Sequence, residues 1–194
     1  MRFGCLLLAL LVIAPSARAA DDDFCRMLWL SRNIVFDRAG QCFQSALGQS
    51  VFDNADCIGT ARNLFPFEAE VVRMAQEMEI SFDCDVDTAN TALGATTTRF
   101  LAQLRQLNTP PVRADTEHGC WNYLGPPRAL YAGISTDLAQ IGTLQTGQNF
   151  GFSHLPLRGG WEFISVSNPD GSEAGFGWVT GLEMSFDTCE QIAG

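Results

Sequence analysis

Two periodicities divide the chain. Between residues 22 and 107 apolar residues recur at three- and four-residue steps, the spacing of one helix face; beyond residue 128 they alternate with polar residues, the spacing of a half-buried strand. The first helical stretch, 22–39, carries Leu28, Trp29, Ile34 and Phe36, with acidic Asp21 to Asp23 at its N-terminal end and Gly40 as a stop. This predicts a helix packed on one face. Leu28, Trp29, Arg32, Asn33 and Phe36 share a stripe, so Arg32 and Asn33 are expected at its edge, bonded to neighbouring backbone. Residues 45–52 predict a short helix broken by Asp53 to Asp56. Pro66 suits the first turn of a helix over 67–78, with Val71, Met74, Ala75 and Met78 as its core stripe. A further helix is expected over 88–107, burying Leu93, Thr97, Phe100, Leu101 and Leu104, and Asn108-Thr-Pro-Pro111 ends it.

The C-terminal third reads as strands. Phe150 and Phe152, then Trp161 and Phe163, alternate with polar neighbours, and Asn168-Pro-Asp-Gly171 is turn chemistry between two strands. The segment Ile141-Gly142-Thr143-Leu144-Gln145-Thr146-Gly147, followed by Gly160-Trp161 and then Gly177-Trp178-Val179, resembles the bacterial SH3-like domains of cell-envelope proteins in the order of its glycines and tryptophans. The resemblance covers about sixty residues and departs from the family at Ile134, where a proline often sits. It implies a small β-barrel that binds a peptide or glycan. Tyr131, Trp161 and Trp178 are the expected groove lining, because aromatic faces with polar tips give contact area at low entropic cost.

The N-terminal region carries a second resemblance. Leu28-Trp29, Arg32-Asn33, Phe36-Asp37-Arg38-Ala39-Gly40 and Phe43 resemble the extracytoplasmic YARHG domain, named for a Tyr-Ala-Arg-His-Gly signature in which only Arg38 and Gly40 match by identity. Trp29, Arg32, Asn33, Arg38 and Gly40 are the motif positions. The expected architecture is α+β: a helical YARHG-like region over 20–108, a linker over 109–117 and an SH3-like β-barrel over 118–194.

Arg2, an apolar run from Leu6 to Ala14, and small residues at Ala17 and Ala19 read as a signal peptide over 1–19, cleaved before Ala20. The apolar run is too short to span a bilayer, so a periplasmic or secreted protein is expected. Cys5 lies too early for a lipoprotein cysteine. The other six of the seven cysteines, Cys25, Cys42, Cys57, Cys84, Cys120 and Cys189, form an even set without Cys-x-x-Cys spacing, which favours disulfides over a metal site. The favoured pairing is Cys120 with Cys189, bracketing the barrel whose ends the resemblance brings together, Cys42 with Cys57 as a local clip, and Cys25 with Cys84 from what is left.

Charge narrows the partners. The formal net charge of −10 includes Arg2 and Arg18, so the chain without its leader is near −12, and it contains no lysine. Nucleic acid is a poor partner for such a surface.

Candidate chemistry is sparse. Asp83, Asp85 and Asp87 open like a calcium loop, but Thr88 and Gly94 stand where the loop needs glycine and glutamate. His118 and Cys120 are close in sequence, yet an even cysteine set claims Cys120 for a disulfide. No His-Glu-x-x-His or Gly-x-Ser-x-Gly motif occurs, so no metal, cofactor or catalytic residue is assigned. The expected function is a non-enzymatic envelope protein that binds peptidoglycan or a peptide. The alternatives are an acidic module that binds a basic envelope enzyme, and a hydrolase built on an unrecognised carboxylate pair.

Overall fold

The structure is a computed structural model and describes residues 23–60 and 63–194, so the expected leader lies outside the described residues. Four helices, α1 (Asp23–Arg38), α2 (Ala46–Val51), α3 (Pro66–Ser81) and α4 (Ala95–Leu104), precede seven strands. The strands are β1 (Arg113–Tyr123), β2 (Arg128–Tyr131), β3 (Gln140–Leu144), β4 (Asn149–His154), β5 (Trp161–Ser167), β6 (Glu173–Thr180) and β7 (Cys189–Ala193).

Helix α1 is buried on two sides rather than one. Leu28 and Val35 meet Val71, Val72 and Ala75 of α3, while Trp29, Leu30 and Ile34 meet Leu47 and Val51 of α2 and Phe100, Leu101 and Leu104 of α4. Its polar residues are satisfied inside this packing: the Ser31 hydroxyl donates to the Pro111 carbonyl at 2.7 Å, and Asn33 Nδ2 donates to the Trp29 carbonyl at 2.8 Å. Arg32 departs from the expected backbone contact. Its Nε–H reaches both carboxylate oxygens of Glu79 on α3, at 2.8 and 2.9 Å.

Local chemistry sets the helix ends. Ser45 Oγ accepts the Gly48 N–H and starts α2. Pro66 occupies the first turn of α3, and the Glu68 carboxylate accepts the Phe65 N–H at 2.8 Å. Helix α4 begins later than the periodicity suggested, because Asp87 and Asn90 each accept a backbone N–H two residues on and hold that stretch in turns. Its expected core residues Thr97, Phe100, Leu101 and Leu104 are buried.

The strands form one antiparallel sheet in the order β3-β2-β6-β5-β4-β1-β7. Edges β3 and β7 do not pair, so the expected closed barrel is corrected to an open sheet. The sheet nevertheless curls around a core of Leu130, Leu144, Phe150, Phe152, Ile164, Val166 and Val179. Asn168 to Gly171 makes the predicted turn between β5 and β6, with the Gly171 N–H donating to the Asn168 carbonyl at 2.9 Å. Gly177 is required by close approach: a Cβ there would stand 2.9 Å from Leu130 Cβ of β2.

The two regions share a core. Phe163 and Trp178 of the sheet pack with Leu28, Val35, Val71 and Ala75 of the helices, and buried Leu107 and Val112 bridge them. The stretch 109–117 expected as a linker is part of this packing, since Thr109 is buried and β1 begins at Arg113.

The disulfides are Cys25–Cys84, Cys42–Cys57 and Cys120–Cys189, the favoured pairing. They tie α1 to the end of α3, close the loop after α1, and join β1 to β7.

Candidate functional site

Along β5, Trp161 and Phe163 lie on the face that the helices cover, and Ser165 and Ser167 continue that face at two-residue steps. The apolar cover gives way to small polar groups there. In register, Ser165 faces Gly151 of β4, Gly151 faces Gly119 of β1, and Gly119 faces Ala193 of β7. This row of small residues crosses four strands and floors a trough of about 570 Å³, with Ser153 and Ser167 offering polar groups and the Arg113–Glu117 ion pair at its side. Trp121 stands beside the row, 52% exposed, and also walls an adjoining depression of about 400 Å³ with Asn122, Glu190 and Gln191. An exposed indole between two polar hollows provides a flat apolar surface flanked by hydrogen-bonding groups.

A second hollow, a cleft of about 870 Å³, opens where the start of α3, the end of α4 and the β2–β3 loop meet. Phe65, Leu107 and Leu138 supply apolar wall, and Arg38, Arg105 and Arg158 project charge toward it.

The three aromatics expected to line a groove are dispersed. Trp178 is fully buried and its indole N–H donates to the Thr109 carbonyl at 2.8 Å, so it joins the sheet to the segment after α4 and has no surface to offer a ligand. The pattern Gly-Trp-Val marked it because a close-packed glycine precedes a core residue. Tyr131 and Trp161 make an edge-to-face pair at 5.9 Å, half-buried, and line neither the trough nor the cleft. Trp121 was missed because Gly119, two residues before it, and Asn122, after it, break the aromatic alternation; a tryptophan two residues from a glycine in a strand was the available signal.

The YARHG motif positions are accounted for by packing. Trp29 is buried against Phe52. Arg38 projects from the last turn of α1 and donates to the carbonyls of Leu104, Leu107 and Asn108 at 2.8, 2.7 and 3.1 Å, capping the C-terminal end of α4. Burial lowers its pKa, with Asp37 and Glu68 opposing that shift. Gly40 has φ +84°, and a Cβ there would stand 2.5 Å from Ile58 Cγ1.

Among the described residues no group of three or more His, Cys, Asp or Glu is placed to hold a metal ion, and no helix is long and apolar enough to cross a membrane. The disulfides are consistent with an exported protein.

Comparison with protein families agrees with part of the sequence reading. The YARHG domain matches residues 5–80, and the region read as SH3-like is matched over residues 83–194 by a family described as Domain of unknown function (DUF4453). Helix α4 falls in the second match although it packs on α1 of the first. No curated protein and no solved structure matches the chain. The second family spans more than half of the sequence, so the chain belongs to the DUF4453 family and carries a YARHG domain ahead of that region.

Proposed function

We propose that the protein is an exported, non-enzymatic binding protein of the cell envelope, and that the trough beside Trp121 takes a glycan strand of peptidoglycan. The observation that carries this reading is the exposed indole of Trp121 next to the row Ser165, Gly151, Gly119 and Ala193. Sugar rings present an apolar C–H face and an equatorial rim of hydroxyls. The indole suits the face, and Ser153 and Ser167 suit the rim. Glycine and alanine along the floor let an extended chain lie close to the backbone.

The SH3-like resemblance implied an envelope ligand, and the trough moves the expected contact from Tyr131, Trp161 and Trp178 to Trp121. A formal charge of −10 favours a ligand held by stacking and hydrogen bonds over one held by bulk attraction to polyanions. The test is retention of residues 20–194 on purified sacculi, with a Trp121→Ala variant and a Trp161→Ala control. Retention of the parent and of the Trp161 variant at high salt, with loss on Trp121→Ala, supports the reading. Salt-labile capture of a basic envelope enzyme, with no retention on sacculi, favours the acidic-module alternative.

A further inference from the structure

We propose that the cleft between α3, α4 and the β2–β3 loop is a second binding site, which takes the C-terminal end of a peptide. The terminal carboxylate would lie on Arg105 and Arg38, and the last side chain on Phe65, Leu107 and Leu138. This site is separate from the trough and does not depend on the glycan reading.

Charge is the first argument. In a chain of formal charge −10, three guanidinium groups converge on one cleft whose only lining carboxylate among the described residues is Glu68. Glu68 is occupied by the Phe65 N–H, and Arg158 is engaged by Glu70 and the Pro66 carbonyl. Arg38 and Arg105 form no ion pair among the described residues. Arg38 is held by three carbonyls, and Arg105 donates only to the Val51 carbonyl at 3.1 Å, which leaves most of its fork of donors open. Asp37 lies near both Arg38 and Arg105, and Glu68 near Arg38, without an ion pair to either among the described residues. Two exposed guanidinium groups with no ion-pair partner among the described residues favour an incoming anion, and a carboxylate matches their two-pronged geometry.

The walls select what the carboxylate is attached to. Phe65 is 65% exposed and stacks parallel to Phe67 at 6.1 Å, an apolar face that one side chain of a ligand can cover. Gln106, Asn108 and Ser135 line the same cleft and can pair with peptide amides. A bare acyl chain would leave those groups desolvated and unpaired, so a peptide suits the walls better than a fatty acid. A volume of about 870 Å³ is the size of a site for a few residues.

The experiment is fluorescence anisotropy with a fluorescein-labelled tripeptide ending in phenylalanine, its C-terminal amide, and dodecanoate as competitor. The expected result is at least about tenfold tighter binding of the free acid than of the amide, weakening with salt, with loss of about tenfold or more on Arg105→Gln. Trp121→Ala should leave this binding unchanged. Arg105 is exposed and makes one backbone bond, and thermal unfolding checks that its variant stays folded. Should that variant fail to fold, the comparison of acid and amide on the parent protein decides alone. Equal binding of acid and amide, absence of peptide binding, or displacement by dodecanoate at lower concentration than by unlabelled tripeptide would overturn the proposal.

Discussion

Acidification should destabilise this protein through His154. The imidazole ends β4, edge-to-face with Phe163 at 4.9 Å and stacked on Phe100 of α4 at 5.9 Å. Its Nδ1 lies 3.1 Å from Ser153 Oγ, but Nε2 is enclosed with no partner among the described residues, although the residue as a whole is half-buried. Burial first, and then the Arg113 cation, push its pKa from 6.5 down to about 3. The unfolded chain therefore takes up a proton near pH 6.5 that the folded chain refuses until about pH 3. Above that window the group adds no pH dependence. Within it stability falls by about 1.4 kcal/mol per pH unit, and below it the loss is complete. The expected loss is about 2 kcal/mol by pH 5 and at most about 5 kcal/mol in all, a large part of a small domain's stability. Urea unfolding of the parent and of His154→Leu, at several pH values from 7.5 to 4, measures this directly. Carboxylates titrate in both proteins, so the difference in slope isolates the imidazole. Parallel pH profiles for the two proteins would refute the reasoning.

Other expectations follow from single contacts. Arg38→Ala removes the cap from three carbonyls and should cost about 3 kcal/mol, read as a lower urea midpoint with unchanged slope. Trp178→Phe loses both volume and the bond to Thr109 and should cost about 2–4 kcal/mol; an unchanged thermal midpoint would contradict its role between sheet and helices. Replacing Cys120 and Cys189 by serine releases a 69-residue separation and should cost about 4 kcal/mol in the chain-entropy account, measured by calorimetry under oxidising conditions. Trp121→Ala, at an exposed position, should change stability by no more than about 0.5 kcal/mol while abolishing glycan binding.

Periodicity located the helices well because each has a buried stripe; the even cysteine set pointed to disulfides, and the barrel resemblance to the Cys120–Cys189 pair that the structure contains. What it could not reach was the arrangement between elements. Helix α1 was expected to bury one face, but its second face is covered by α2 and α4, whose apolar stripes look the same whether they meet α1 or one another. Barrel closure depends on whether β3 meets β7, and neither strand's own pattern encodes its neighbour. Trp178 and Trp121 show the same limit at the candidate site. Both are tryptophans in strands near a glycine, and only the sheet's faces and the reach of the helices decide that one is core and the other surface. The cleft brings Arg38, Arg105 and Arg158 together from distant positions, a convergence that scattered arginines in a sequence do not reveal.

The central claim is that Trp121 meets a glycan. It is tested most directly by following the indole N–H signals of the four tryptophans by NMR while adding glycan strands stripped of their stem peptides. The signal that disappears in Trp121→Ala should shift most on titration, with the Trp178 signal unmoved. A titration that leaves the Trp121 signal in place, or shifts all four signals alike, would contradict the account.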